Sequence, residues 1–216
     1  DVDEATELMR RYVGSLPRGD GSEAAAEVTP AVPSGVVARD VQAGTGDQGS
    51  LSVTYEVASD GSPFEIVRAD VLTNVLNTRL VDHVREKLGA SYSPNAYVEI
   101  DQFIHSVRTT VSVSGDPAGL DELRQIVLDD MVDIATNGPT AAEFDAAIAA
   151  LEQDYQLFDN AMVAYSLMLM HNDRDYLDVY LGKYSELLAL SRSNLATFAK
   201  RVLPLDQRIE IVQRPR

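Results

Sequence analysis

Residues 79–94 read RLVDHVREKLGASYSP, which holds the end of a helix, a stop and the start of a strand. Upstream, Ala69, Leu72, Val75, Leu76, Leu80, Val84 and Leu88 recur at helical spacing. One amphipathic helix is therefore predicted from about Phe64 to Leu88, with that stripe turned to a core. Gly89 stands where a left-handed C-cap is wanted. Beyond it Tyr92, Pro94 and Ala96 open an extended run. Arg85 falls in the last helical turn and Tyr92 seven residues later, past the corner. A guanidinium and a phenol are thus expected to reach one helix-to-strand junction from two sides and to aim two hydrogen-bond donors at a common point.

On either side of this corner the pattern alternates between strands and helices. Residues 35–43 and 50–57 read as strands; Leu51, Val53, Tyr55 and Val57 alternate with polar residues in the second. The turn Ser59-Asp60-Gly61-Ser62-Pro63 follows, with Ser62 placed to cap the long helix. After the corner, Ala96, Val98 and Ile100 mark one strand, and Val107, Thr109, Val111 and Val113 mark a second over 103–114. The two are predicted to form an antiparallel hairpin through a tight connection at Asp101-Gln102. Asp116-Pro117 opens a helix with the stripe Leu120, Leu123, Val127, Met131 and Ile134, and Asn137-Gly138-Pro139 stops it. Thr140 to Glu143 is a capping box for the next helix, which runs through Ile148, Leu151, Tyr155 and Phe158. Helical structure is expected again over 161–190 and from Ser193 to Val202, then a closing strand from Arg208 to Val212. This order predicts an α+β fold, an antiparallel-rich sheet with helices packed on one face.

Residues 1–13 read as a short helix with Leu8, Met9 and Tyr12 on one side, and 18–34 as a Gly/Ala/Pro-rich linker. Three segments follow: 1–17 as the end of a preceding helix and its connection, 18–34 as linker, and 35–216 as the folded domain. Since the chain opens within a helical pattern, a piece of a longer protein is expected.

The net charge is −16, which argues against nucleic acid and anionic membranes as partners. The charge can be a solvated surface, or a negative wall that favours basic peptides. The absence of cysteine rules out disulfides. No run of about 18 apolar residues suggests a membrane span. A soluble domain is expected, with its compartment, cytoplasm or cell envelope, left open by these features.

Taken one by one, the polar residues point to little chemistry. Arg85 has a structural explanation, because a cation in the last turn of a helix is favoured by the dipole and the free carbonyls. Tyr92 can be strand packing surface. His83 and His105 border core-facing stretches, where a hydrogen-bonded structural role is expected, and His171 is placed near a helix end as a surface or capping residue. Asp173, Asp175 and Asp178 lack the glycine and terminal glutamate of a calcium loop. Asp129, Asp130 and Asp133 are expected to face water. The motifs G-x-S-x-G and Walker A are missing from the sequence.

Four stretches in order carry a resemblance. LVDHVREKLGASYSP resembles the segment L-x-x-x-[LV]-R-E-K-L-G-x-x-Y-S in the C-terminal domains of the pitrilysin/insulinase family of zinc metallopeptidases. YVGSLP at 12–17 is similar to that family's Y-F-G-x-L-P linker. ATNGPTAAEFDAA at 135–147 is similar to x-x-G-[VP]-[ST]-x-x-E-[LF]-x-x-A, and 192–215 to the family's closing helix and strand. The catalytic signature H-x-x-E-H does not occur; the nearest approach, His83-Val84-Arg85-Glu86-Lys87, ends in an ammonium that cannot ligate zinc. The resemblance therefore implies a non-catalytic half, with no metal or cofactor of its own. Zinc would sit in a catalytic domain of the same or a partner chain. It also implies a peptide-enclosing chamber, with Arg85 and Tyr92 contacting substrate near the scissile bond. The alternative is a scaffold or interaction domain from a family member without proteolytic activity.

Overall fold

The computed structural model describes residues 1–17, 32–62, 64–88, 93–101, 104–156, 168 and 176–216. A helix α1 (Val2–Tyr12) comes first. The strands β1 (Val36–Gln42) and β2 (Gly49–Ala58) lead into the long helix α2 (Glu65–Leu88). The strands β3 (Ser93–Asp101) and β4 (Ser106–Gly115) follow, then α3 (Leu120–Asn137), α4 (Ala141–Gln156), α5 (Tyr176–Ala189), α6 (Arg192–Val202) and β5 (Arg208–Arg214). The sheet order is β1-β5-β2-β4-β3. Its pairings are antiparallel except that β1 runs parallel to β5. The chain thus has the expected α+β architecture.

Alternation along the strands separates the two faces. Leu51, Val53 and Tyr55 of β2 and Val107, Thr109, Val111 and Val113 of β4 are buried against the helices. Between them, Ser50, Ser52 and Thr54 stand opposite Ser114, Ser112 and Thr110 on the helix-free face. The predicted stripe of α2 is the centre of the core, with Leu72, Val75, Leu76, Leu80 and Val84 fully buried. Leu120, Leu123, Val127, Met131 and Ile134 of α3 join it. Burying side chains of this size stabilises by roughly 1.5–3 kcal/mol each.

Several boundaries differ from the sequence pattern, each for a local reason. The β3–β4 connection is longer than a tight turn at Asp101-Gln102. Asp101 pairs with Ser106, Asp101 Oδ1 accepts from the Ile104 N–H at 3.1 Å, and His105 takes a left-handed φ of 50°. Asp116 caps a 3-10 turn, Pro117–Gly119, before α3 begins at Leu120, its carboxylate accepting from the Ala118 N–H at 2.9 Å. The last helix starts one residue early because Ser191, not Ser193, is its N-cap. The closing strand runs on to Arg214, since β5 lies between β1 and β2 and is paired on both sides. The capping box holds, with Glu143 accepting from the Thr140 N–H at 2.7 Å and donating its own N–H to Thr140 Oγ1 at 3.2 Å. Of the helical region expected over 161–190, 161–167 and 169–175 lie outside the described residues.

Candidate functional site

The second half of α2 carries the predicted corner, and two buried polar contacts fix its rotation. Arg79 occupies the inward face of the helix and its side chain is only 4% exposed. Its Nε and Nη2 donate to the two oxygens of Glu143 at 2.6 and 2.7 Å, and its Nη1 donates to Asp133 at 2.5 Å. A planar guanidinium matches a carboxylate in this paired geometry. Burial pushes the Glu143 carboxyl up, but the hydrogen bonds from Arg79 and Thr140 and the Arg79 charge outweigh it and bring its pKa down to about 2. One turn on, His83 Nδ1 lies 2.6 Å from Asp130 Oδ1. Burial raises the pKa of Asp130, against the opposing pull of His83, Arg79 and Lys87. Its second oxygen, Oδ2, is buried without a partner. The expectation that Asp130 faces water is thus corrected: it lies beneath His83. Asp133 stays half-exposed but holds Arg79. The signal missed was Arg79 itself, a charged residue three positions after Leu76 on the apolar stripe.

Farther up the helix, Tyr155 Oη donates to Asp70 at 2.5 Å, with Lys183 Nζ at 3.9 Å, tying α2 to α4 and α5. At the N-terminal end, Arg68 and Arg201 lie over the Phe198 ring at 5.5 and 5.3 Å. They border a cleft of about 380 Å³. Arg68 pairs with Asp60 and Arg201 with Glu65, while Arg68 Nε is buried with no hydrogen-bond partner among the described residues.

The strand leaving the corner is an edge strand, and α2 closes part of that edge. Asn77 Nδ2 donates to the Ala96 carbonyl and Asn77 Oδ1 accepts from the Ala96 N–H, both at 2.8 Å. Thr73 Oγ1 accepts from the Val98 N–H at 3.0 Å. An edge strand exposes groups that would pair with another chain; here two side chains of the helix take them. Neither residue stood out in the sequence.

Arg85 lies in the last turn of α2, as predicted. Its side chain, Gly89, Tyr92, His171, Asp173 and Asp175 lie outside the described residues. His83 has the hydrogen-bonded structural role expected of it, whereas His105 is exposed in the β3–β4 turn, its carbonyl accepting from the Ser59 N–H at 2.8 Å. Among the described residues, no group of three or more His, Asp and Glu side chains converges to hold a metal ion.

Residues 1–151 match the family model described as the peptidase M16 inactive domain. The chain belongs to that family. No curated protein matches the sequence. The M16 domain is also similar to three solved bacterial structures. One is a protease from Helicobacter pylori, with a TM-score of 0.80 and 17% identity over 100% of this chain and 53% of that one. Another is a peptidase M16 inactive domain from Pseudomonas fluorescens, with a TM-score of 0.78 and 19% identity over 100% and 52%. The third is the periplasmic protease PqqL from Escherichia coli, with a TM-score of 0.76 and 18% identity over 100% and 24%. The M16 domain described here therefore spans between a quarter and about half of the length of these proteins. Among its described residues, no helix is long and apolar enough to cross a membrane.

Proposed function

We propose that this M16 domain is the non-catalytic half of a zinc metallopeptidase, closing a peptide-holding chamber against a zinc-bearing half on the same or a partner chain. The observation that carries this reading is the match to an inactive M16 domain in a sequence without H-x-x-E-H. The residues present do not suit zinc: His83 is engaged by Asp130, and Lys87 stands where a second histidine would be needed. In this reading residues 1–17 end a preceding unit, 18–34 link, and 35–216 form the domain. The β1 start at Val36 agrees with that division. A bacterial cytoplasmic or cell-envelope location goes with it.

The helix-free sheet face suits the chamber wall. Its centre is Ser50, Ser52, Thr54, Thr110, Ser112 and Ser114, all uncharged in a chain of net charge −16. Exposed acidic residues such as Asp121, Glu122, Asp129 and Asp145 sit on the helices, while toward one end of this face Glu56 pairs with Arg108 beside the exposed Glu99. The hydroxyl-bearing centre of such a wall offers hydrogen bonds to an extended backbone.

At the α2–β3 corner, Arg85 and Tyr92 would reach the substrate near the bond cleaved in the other half. Both are donors, and donors aimed at a developing oxyanion stabilise a tetrahedral intermediate. The experiment is steady-state kinetics of Tyr92→Phe and Arg85→Ala in the two-half enzyme, beside thermal midpoints. Tyr92→Phe should lower turnover by roughly 10²–10³-fold, the usual loss for one such donor. Arg85→Ala should cost a comparable factor, part of it as weaker substrate binding. Unchanged kinetics would remove the catalytic role and leave a wall. Loss of activity in proportion to loss of folding would make these residues props of the corner.

A further inference from the structure

The last turn of α2, which bears Arg85, has few contacts to hold it. Val84 is buried in the core, but Glu86 and Lys87 beyond it are exposed, and Val84 is the last buried residue described on the helix. The final carbonyls of a helix have no partners within it, and helix ends fray. Apart from the packing of Val84, the described contact nearest the corner is the one between His83 Nδ1 and Asp130 Oδ1 at 2.6 Å. It crosses from α2 to α3 and joins residues 47 positions apart. The end of the helix that leads into the corner is thus anchored at two adjacent residues, one apolar and one polar.

The polar anchor is built at a cost. The Asp130 side chain is 7% exposed, whereas His83 above it is 46% exposed. Asp130 Oδ2 is buried without a partner, so His83 supplies the one hydrogen bond this carboxyl makes among the described residues. Leaving a buried oxygen unmatched is unfavourable, and an apolar side chain would suit the buried face that Val127, Met131 and Ile134 share with Asp130. Stability alone therefore does not account for the pair. Two chemical uses fail on the geometry. As a base, His83 lacks a substrate-facing nucleophile: among the described residues no hydroxyl bonds to it. As a metal site, one histidine and one carboxylate fall short of three converging ligands. What the pair does supply is direction, since a hydrogen bond fixes an angle that apolar packing leaves loose. A misplacement of about 1 Å can cost roughly 10²-fold in rate, and Arg85 follows His83 by two residues on the same helix end. We infer that His83 is a positioning residue: clamped to Asp130, it holds the last turn of α2 at the angle from which Arg85 meets the substrate. This rests on the reading of the corner given above, in which Arg85 touches the peptide.

The test is a double-mutant cycle in the two-half enzyme with a quenched fluorescent peptide, rates being taken well below each variant's thermal midpoint. His83→Ala should lower kcat/KM at least tenfold. His83→Asn, whose amide nitrogen stands two bonds from Cβ as Nδ1 does, should return it to within threefold of wild type. In an Arg85→Ala background, His83→Ala should lower kcat/KM less than twofold, because the side chain it aims is already gone. The Glu86 and Lys87 amides should exchange with solvent at least tenfold faster in His83→Ala, with the Leu72 and Leu76 amides unmoved. Should His83→Ala not fold, His83→Ala with Asp130→Leu removes the stranded carboxyl as well, and the same losses are expected of it. Unchanged kcat/KM in the His83 variants, beside a loss in Arg85→Ala, would overturn the inference and leave the corner reading intact. So would an equal loss with and without Arg85, no recovery in His83→Asn, or unaltered exchange of the last turn. If Arg85→Ala itself left the kinetics unchanged, the corner reading would fail and the inference with it.

Discussion

Arg79 is the residue on which the described part of the site depends most. Its guanidinium is buried and holds two carboxylates from different helices. Removing one partner of a buried pair strands the other charge and costs about 3–5 kcal/mol, even where a neutral, well-packed replacement of the whole pair is tolerated. Arg79→Met should therefore destabilise by about 3 kcal/mol in urea denaturation. Arg79→Met combined with Glu143→Gln should recover part of that loss. The pair also sets a pH dependence. The folded pKa of Glu143, about 2, lies below its ordinary 4.5, so its contribution is complete above pH 4.5 and is lost as pH falls toward 2. Asp130 titrates in the opposite sense, because burial raises its pKa and its ionised form is the less stable one in the fold. Wild type and Glu143→Gln share Asp130, so the difference between them isolates Glu143, and Gln keeps an acceptor for the capping box. That stability difference should hold steady from pH 7 to 5 and shrink below pH 4.5. A difference constant down to pH 2.5 would mean that the contact is not charge-dependent.

Among the elements, α2 both fills the core and closes the β3 edge. Asn77→Ala removes two hydrogen bonds to Ala96 without touching the apolar stripe. The Ala96 amide should then exchange with solvent at least tenfold faster while the Leu76 and Leu80 amides stay protected, and light scattering should show more self-association through the opened edge. Equal exchange in wild type and variant would show that the clamp contributes nothing. Between α3 and α4 the constraint is different. Gly138 has a φ of 72° with ψ −175°, a region open essentially to glycine alone, and a Cβ there would lie 2.6 Å from the Ala196 Cβ. Gly138→Ala should cost about 2 kcal/mol by thermal denaturation, from backbone strain and the clash with α6 together.

For the molecule as a whole, the strongest expectation concerns what it does not do alone. With no converging ligand set among its described residues and no H-x-x-E-H in its sequence, the isolated chain should hold no stoichiometric zinc after dialysis. It should also leave a quenched fluorescent peptide library uncut. One tightly bound zinc per chain, measured by elemental analysis, would overturn the two-half reading, as would turnover that resists purification and is abolished by a chelator.

The elements themselves were legible in the sequence because their signals are local. The stripe from Ala69 to Val84, the alternation in β2 and β4, the Thr140–Glu143 box and the stop at Gly138 each depend on residues within a turn or two of each other. The position of Arg85 in the last turn of α2 followed from the same periodicity. What joins distant elements was not legible. The parallel pairing of β1 with β5 brings Val36 beside Arg208, and the salt bridge from Arg79 to Glu143 spans 64 residues. Asp130 reads as one more acid in Asp129-Asp130 until α3 turns it beneath His83. The clamp of Asn77 on Ala96 exists only because α2 folds back along β3. Local periodicity determined where the chain is helix and strand. Tertiary packing decided which polar groups lost their water, because burial of a charge or an amide depends on residues far away along the chain that come to cover it.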